Sequence, residues 1–176
     1  MYEFTLNGKN VSISKDLNLL EYLREHEDLT SVKNGCAEGA CGACMILVDG
    51  KAVKACINTT SKVHGKDIKT VEGLTEFEKE VFTWAFSKAG AVQCGFCIPG
   101  MVISAKALLD KNLNPNRQEI KNAIRGNVCR CTGYVKIIKA IEMAAETFRN
   151  GKLTLNEKYK GKVGQSIPRI DAKDKI

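Results

Sequence analysis

Apolar and polar residues alternate at the start of the chain and predict a short β-sheet there. Residues 2–6 carry apolar side chains at every even position, and residues 11–13 resume the same period of two. The two runs are separated by Asn7-Gly8, and Asn-Gly between alternating segments is typical of a two-residue hairpin turn. The pattern therefore predicts that the chain opens with a β-hairpin.

A second hairpin is predicted further along the chain. Residues 45–48 and 52–56 form its strands and are joined through Asp49-Gly50, whose residue types suit the positive φ angles of a type I′ turn. A last strand over residues 68–71 would complete the sheet. We therefore expect a mixed sheet of four or five strands.

One amphipathic helix is predicted between the two hairpins. It begins at Asn18, a favoured N-cap residue, with Glu21 at the spacing of a capping partner. Leu19, Leu20 and Leu23 would then share one apolar face. We expect this helix to lie on the sheet.

After Gly73 the hydrophobic period changes from two to about 3.6 residues, which predicts a second, helical unit. Its first helix follows a capping-box pattern at Thr75 and Glu78 and has a stripe of Phe77, Val81, Trp84 and Ala85. Three more helices are predicted. The first has Pro99 in its first turn and an apolar stripe of Val102, Ala105 and Leu109. The second begins at Asn114-Pro115 and carries Ile120 and Ile124, and the third covers residues 134–149 with Val135, Ile138, Ala145 and Phe148 facing inward. The predicted class is α+β, divided into residues 1–73, a four-helix unit over 74–150, and a lysine-rich linker or arm over 151–176.

Composition and charge exclude several classes of function. The chain has 176 residues and a net charge of +7, of which residues 151–176 carry +4 (seven Lys/Arg, three Asp/Glu). No basic stripe interleaved with aromatic residues is present, so nucleic-acid binding is not expected. The amino terminus lacks a basic start followed by an apolar run, and no apolar stretch is long enough to cross a bilayer. We therefore expect a cytoplasmic protein without a membrane span.

Eight cysteines are the feature that points to chemistry. In a reducing cytoplasm they are poor candidates for structural disulfides. The first four are Cys36, Cys41, Cys44 and Cys56, and the first three match the C-x4-C-x2-C spacing of a plant-type [2Fe–2S] ferredoxin. The second four are Cys94, Cys97, Cys129 and Cys131, a C-x2-C pair and a C-x-C pair, each at a predicted helix start. Amide donors and positive helix ends would stabilise thiolates there.

A zinc site is the alternative use of these cysteines. Cys41 and Cys44 with Cys94 and Cys97 would supply four thiolates. That choice leaves the other four cysteines without a role, whereas two iron–sulfur clusters account for all eight. His26 and His64 lie outside the cysteine pairs and are expected to be surface residues. No phosphate-binding loop or nucleophile motif is present, so substrate chemistry is expected on another chain or segment.

Taken together, these motifs resemble the iron–sulfur subunit of the molybdenum hydroxylase, or xanthine dehydrogenase, family. The matching residues are 35–44 (GCAEGACGAC), 93–100 (QCGFCIPG) and 129–134 (CRCTGY), in the family's order. The resemblance implies a β-grasp ferredoxin-like domain followed by a four-helix domain, each holding one [2Fe–2S] cluster. It also implies partner subunits, or fused domains, that bind molybdopterin and FAD.

The resemblance also implies an order of electron flow and one further site residue. Electrons from molybdopterin would reach the helical-domain cluster first, then the ferredoxin-like cluster, then FAD or another acceptor. Gln93 matches the family glutamine that contacts the pterin. Residues 163–171 resemble the leading segment of the molybdenum-binding subunit. Purines, aldehydes and N-heterocycles all fit as substrates of the complex.

Two other functions remain open on the residues alone. A free-standing ferredoxin-type carrier would be a monomer with a charged docking face, whereas the relay subunit would associate tightly with molybdenum and flavin polypeptides. A zinc-stabilised interaction module would be colourless. Iron and acid-labile sulfide analysis separates the last of these from the other two.

Overall fold

The computed structural model describes residues 1–153, Arg169 and residues 171–176. Most of the predicted arm over 151–176, including 163–168 in the segment that resembles the molybdenum-binding subunit, lies outside the described residues. The strands are β1 Tyr2–Leu6, β2 Lys9–Ile13, β3 Met45–Val48, β4 Lys51–Lys54 and β5 Asp67–Lys69. The helices are α1 Leu19–Glu21, α2 Glu76–Lys88, α3 Ile98–Leu109, α4 Arg117–Ala123, α5 Val135–Asn150 and α6 Ala172–Lys175. This mixture of sheet and helices confirms the α+β class.

The five strands form one mixed sheet in the order β2-β1-β5-β3-β4. β1 and β5 are parallel, and the other neighbouring pairs are antiparallel. Both predicted hairpins are confirmed, because Asn7 and Gly8 have φ angles of 50° and 82°, and Asp49 and Gly50 have 49° and 72°. Positive φ at both central residues is the requirement of a type I′ turn, whose twist matches that of the strands it joins.

Two predicted strand boundaries were wrong. β4 runs from Lys51 to Lys54 rather than over 52–56, because the chain turns into a 3₁₀ helix at Ala55–Ile57. β5 spans Asp67–Lys69 rather than 68–71, since another 3₁₀ helix begins at Val71. The first of these turns carries Cys56 off the strand and towards the loop before β3.

The helix between the hairpins begins as predicted at Asn18. The Asn18 side chain accepts hydrogen bonds from the backbone N–H groups of Leu20 and Glu21, at 3.0 and 3.4 Å. The α-helical turn continues as a π-helix over Tyr22–His26. Leu19, Leu20 and Leu23 are buried as predicted and pack in one apolar core with strand residues of the sheet.

The capping box at the start of α2 is confirmed. Thr75 Oγ1 accepts from the Glu78 N–H, and the Glu78 carboxylate accepts from the Thr75 N–H at 2.8 Å. The predicted buried stripe was only partly right, because Phe77 is 39% exposed and Trp84 is only partly buried. The buried face comprises Val81, Phe82, Ala85 and Phe86. Phe82 and Phe77 each make an edge contact with Phe148 of α5.

The remaining helices show smaller differences from the predictions. α3 carries Pro99 in its first turn as expected. α4 begins at Arg117, later than predicted, because Asn116 rather than Asn114 caps it. Val135 was predicted to face inward but is 62% exposed at the first position of α5. The buried stripe of α5 comprises Ile137, Ile138, Ala140, Ile141, Ala144 and Ala145.

Strand β3 joins two apolar cores. Ile46 and Val48 lie in the core shared with α1 and the other strands. Met45 and Leu47 point to the opposite face and lie in the core formed by the helices. All four residues of β3 are therefore buried, and the sheet is packed on both faces at this point. This arrangement holds the cysteine loops of the sheet against the helical part of the chain.

Candidate metal centres

All eight cysteines are free of disulfide bonds, and the sequence predicts that they form two sets. The N-terminal set comprises Cys36, Cys41, Cys44 and Cys56. The second set, contributed by the helical part, comprises Cys94, Cys97, Cys129 and Cys131. Each set has two buried members, while the others are partly or fully exposed. Interactions between the cysteines join neighbouring members of each set in pairs, and the assignment of each set to one cluster stays a prediction.

Hairpin β3–β4 brings the inner pair of the N-terminal set together. Cys44 lies directly before β3, and Cys56 lies in the 3₁₀ turn after β4. The Cys44 carbonyl accepts the Ala55 N–H at 3.0 Å, and the Cys44 thiol interacts with those of Cys56 and Cys41. Cys36 joins the set through the Cys41 N–H, which lies 3.4 Å from Cys36 Sγ.

The pKa values of the outer thiol, Cys36, and the inner thiol, Cys44, are shifted in opposite directions. Hydrogen bonds from backbone N–H groups, chiefly that of Cys41, lower the pKa of Cys36 to about 6. Burial raises the pKa of Cys44 to about 11. Without a cation the inner thiol keeps its proton, and a bound metal would have to displace that proton. The outer thiol is mostly thiolate at neutral pH, which is the form of cysteine that binds metals.

The loop around Cys41 leaves no room for a side chain at Gly35. A Cβ at this position would lie 2.9 Å from Cys41 Sγ, which is shorter than van der Waals contact. Glycine here lets the backbone approach the sulfur closely. The donor set and its cradle therefore fit a thiolate-ligated cluster.

The second set is assembled from two loops that are 31 residues apart in sequence. Cys97 is the N-cap of α3, and Cys129 and Cys131 precede α5. The sulfurs of Cys94 and Cys131 are 3.6 Å apart, and the Cys97 thiol interacts with those of Cys129 and Cys94. All four members are thus linked side chain to side chain.

Local hydrogen bonds differentiate the two buried thiols of the second set. Burial raises the pKa of Cys97 to about 12. Burial acts on Cys129 in the same direction, but bonds from the Thr132 hydroxyl and nearby N–H groups outweigh it and lower the Cys129 pKa. Thr132 Oγ1 lies 3.1 Å from Cys129 Sγ. Sequence reasoning missed Thr132, although its place directly after the C-x-C pair was the available signal.

Gln93 ties the two cysteine loops of the second set together. Its side-chain Nε2 donates to the Cys131 carbonyl at 3.1 Å. The C-terminal segment contacts the same loop, since Lys175 Nζ donates to the Gln93 carbonyl at 3.2 Å and Arg169 donates to the Val92 carbonyl at 2.6 Å. Gln93 itself is exposed at the edge of the second set.

The arrangement does not match the alternative pairing for zinc. Cys41 and Cys44 belong to one set, whereas Cys94 and Cys97 belong to the other. Within the described residues, no three or more His, Cys, Asp or Glu side chains form a group that could hold a metal ion. A [2Fe–2S] cluster instead shares its four thiolates between two irons.

The two histidines have structural roles outside the cysteine sets. His26 stacks on Tyr22 with ring centroids 5.6 Å apart. His64 Nδ1 accepts the Glu3 N–H at 2.9 Å. Both are exposed, as predicted for surface histidines.

Comparison with known proteins decides the family. Residues 2–81 match the family described as "2Fe-2S iron-sulfur cluster binding domain", and residues 70–142 match the one described as "[2Fe-2S] binding domain". The chain is 48% identical over 148 residues to the nicotinate dehydrogenase small FeS subunit of Eubacterium barkeri, covering 82% of this chain and 94% of that subunit. The chain belongs to the iron–sulfur subunits of the molybdenum hydroxylases. The resemblance stated from the sequence motifs is thereby confirmed.

Solved structures agree with this placement of the iron–sulfur subunit. It aligns with the aldehyde oxidoreductase of Desulfovibrio desulfuricans at a TM-score of 0.88 and 37% identity, covering 99% of this chain. It spans only 20% of the length of that enzyme. Against quinoline 2-oxidoreductase of Pseudomonas putida 86 the TM-score is 0.77 at 39% identity, covering 86% of this chain and 97% of the matched chain. Membership implies electron transfer as the iron–sulfur component of an oxidoreductase.

The described residues contain no helix that is both long and apolar enough to cross a bilayer. The longest helix, α5, has 16 residues and an N-terminal half that carries two lysines.

Proposed function

We propose that this subunit relays electrons between a molybdopterin-binding partner and an FAD-binding partner, with its eight cysteines holding two [2Fe–2S] clusters. The observation that carries the proposal is that thiol interactions link the eight free cysteines only within Cys36/Cys41/Cys44/Cys56 and within Cys94/Cys97/Cys129/Cys131. When bound, the two clusters would supply one-electron transfer, the Cys94/Cys97/Cys129/Cys131 quartet on the molybdopterin side and the Cys36/Cys41/Cys44/Cys56 quartet on the FAD side.

The proposal assigns one quartet to each part of the chain. Residues 1–73 would be a β-grasp ferredoxin-like domain, and residues 74–150 a four-helix domain. The two family matches support this order, since one ends at residue 81 and the other begins at residue 70. The capped start of α2 after Thr75 supports a boundary near Gly73.

The protein groups around each quartet would hold negative charge on sulfur. The Cys41 N–H faces Cys36 Sγ, and the Thr132 hydroxyl faces Cys129 Sγ. Such donors stabilise thiolates and the more negative, reduced form of a cluster, so they help to set its potential. Burial of the inner thiols excludes water from the same sites.

The exposed edge of the second quartet has the character of a partner surface. Three large apolar residues close to its cysteines in sequence are exposed: Phe96 at 47%, Val128 at 57% and Val135 at 62%. Gln93 lies in the loop beside Phe96. We assign this face to the molybdopterin-binding subunit, with the Gln93 amide at the pterin.

The face near the first quartet is assigned to the FAD-binding partner. Ile57 follows Cys56 directly and is 54% exposed.

The substrate of the complex is proposed to be an N-heterocycle. Two relatives carry the names of N-heterocycles, nicotinate and quinoline, so these compounds are the first substrates to test.

Metal analysis of the anaerobically purified chain tests the cofactor assignment. Two clusters require about four iron atoms and four acid-labile sulfides per chain. Cys97→Ser should remove one of two reduced-cluster EPR signals, and Cys56→Ser should remove the other, so each variant is the control for the other. A colourless protein with one or two zinc ions, or unchanged spectra in both variants, would contradict the assignment.

Co-purification tests the partner face. Phe96→Asp places a charge at the edge of the second quartet and should abolish capture of the molybdopterin-binding subunit. Leu113→Asp is the matched control, because Leu113 is similarly exposed, at 41%, but lies in the loop between α3 and α4. Equal capture by both variants would contradict this assignment of the face.

A further inference from the structure

The two cysteine quartets are connected through one buried amide. Asn127 is only 3% exposed. Its Nδ2 donates to the Gly42 carbonyl at 2.9 Å, between Cys41 and Cys44 of the first quartet. Its Oδ1 accepts from Ser104 Oγ of α3 at 2.7 Å. The side chain therefore bonds the first cysteine loop to a helix of the second core.

The backbone around Asn127 extends this connection to the second quartet. The Asn127 carbonyl accepts from the Tyr134 hydroxyl at 3.3 Å, and the Tyr134 oxygen accepts the Cys129 N–H at 2.9 Å. The next residue, Val128, donates its N–H to the Cys41 carbonyl at 2.8 Å. A continuous hydrogen-bonded path thus runs from one quartet to the other.

The backbones on the two sides of this junction are in close contact. A Cβ at Gly42 would lie 2.2 Å from the Gly126 carbonyl oxygen, and a Cβ at Gly100 would lie 2.4 Å from the Gly42 carbonyl oxygen. The surfaces can approach only because these positions are glycines. A hydrogen bond at the centre of such a contact selects its register, since a displaced loop would leave the buried Asn127 amide N–H without its acceptor.

We propose that Asn127 is a positioning residue that fixes the distance and orientation between the two cysteine quartets. The inference rests on the proposed function, because the quartets matter for electron transfer only if both hold clusters. A planar carboxamide suits the role, since it accepts from Ser104 and donates to Gly42 with one side chain. Aspartate has the same shape but no N–H to donate.

Asn127→Asp in the full-length chain is the direct test. It keeps an acceptor for Ser104 but places an oxygen against the Gly42 carbonyl. The control is Asn122→Asp, the same change on an exposed position of α4. Two reduced clusters held close together would interact magnetically, and this interaction would split the low-temperature EPR spectrum. We expect N127D to keep about four irons yet lose or change that splitting, whereas N122D matches the wild type.

Hydrogen exchange in the iron-free chain gives a second readout that needs no cluster. The Val128 N–H should exchange about tenfold faster or more in N127D than in N122D, because its bond to Cys41 crosses the same junction. If N127D does not fold, Ser104→Ala removes the hydroxyl that orients the amide and should produce a smaller change in the same direction.

The outcomes separate this inference from the proposed function. Wild-type chain without iron and sulfide would overturn the proposed function, while accelerated exchange in N127D would still support a junction set by Asn127. Two clusters with unchanged splitting and unchanged exchange in N127D and S104A would overturn the inference alone.

Discussion

Gly42→Ala probes the contact between the first cysteine loop and the helical part of the chain. Gly42 has a φ angle of +70°, in the region that L-residues disfavour. An added methyl group would also lie 2.2 Å from the Gly126 carbonyl oxygen. This backbone atom cannot move aside as a flexible side chain could.

The expected loss of unfolding free energy in Gly42→Ala has two parts, which the control variant Gly50→Ala separates. The left-handed φ costs an alanine about 1–2 kcal/mol. Overpacking against the Gly126 backbone adds about 1–3 kcal/mol. Gly50→Ala carries only the first cost, because Gly50 has a nearly identical φ of +72° but nothing within 4 Å of the added Cβ. A domain of this size is stable by about 5–15 kcal/mol, so the difference is measurable.

Urea unfolding of the iron-free chains, followed by circular dichroism, measures this difference. We expect G42A to lose at least about 1 kcal/mol more unfolding free energy than G50A. We also expect purified G42A to hold about two irons instead of four, because its first cysteine loop no longer docks. Equal destabilisation of the two variants with full iron in both would refute the argument that this contact leaves no room.

Three further predictions concern other parts of the chain. Phe82→Ala should cost about 3–5 kcal/mol in unfolding free energy because Phe82 is fully buried, whereas Phe77→Ala at a 39% exposed site should cost far less. Burial acts to raise the pKa of Glu78, but hydrogen bonds, chiefly from Lys106, lower it below its usual value. Glu78→Gln should therefore cost about 0.5–1 kcal/mol at pH 7, because the ion pair with Lys106 is partly screened by solvent, and this loss should shrink as acid protonates the wild-type carboxylate. After iron removal, iodoacetamide at pH 7 should modify Cys36, with its pKa of about 6, before the buried cysteines of its quartet. Mass spectrometry should show the rate of Cys36 modification falling as the pH drops below about 6, because the thiolate becomes protonated.

Local sequence signals predicted the parts of the fold that depend on neighbouring residues. Asn7-Gly8 and Asp49-Gly50 occupy the positive-φ turns that their residue types suit. The Thr75 capping box depends on residues three apart and appears as expected. The errors fall where packing overrides periodicity, as in the exposure of Val135 at the start of α5.

The sequence by itself determined the chemistry: eight thiols, their grouping by spacing, and the glycines that let the backbone turn around them. Only the tertiary structure decided how the two quartets face each other, because Gly42 and Asn127 are 85 residues apart and no local pattern links them. It also decided that β3 is buried on both faces, since that depends on helices that follow later in the chain. Local conformation depends on adjacent residues, so it can be predicted from short sequence patterns. The register of two packed surfaces depends on residues that are far apart in the sequence and that meet only when both surfaces have folded.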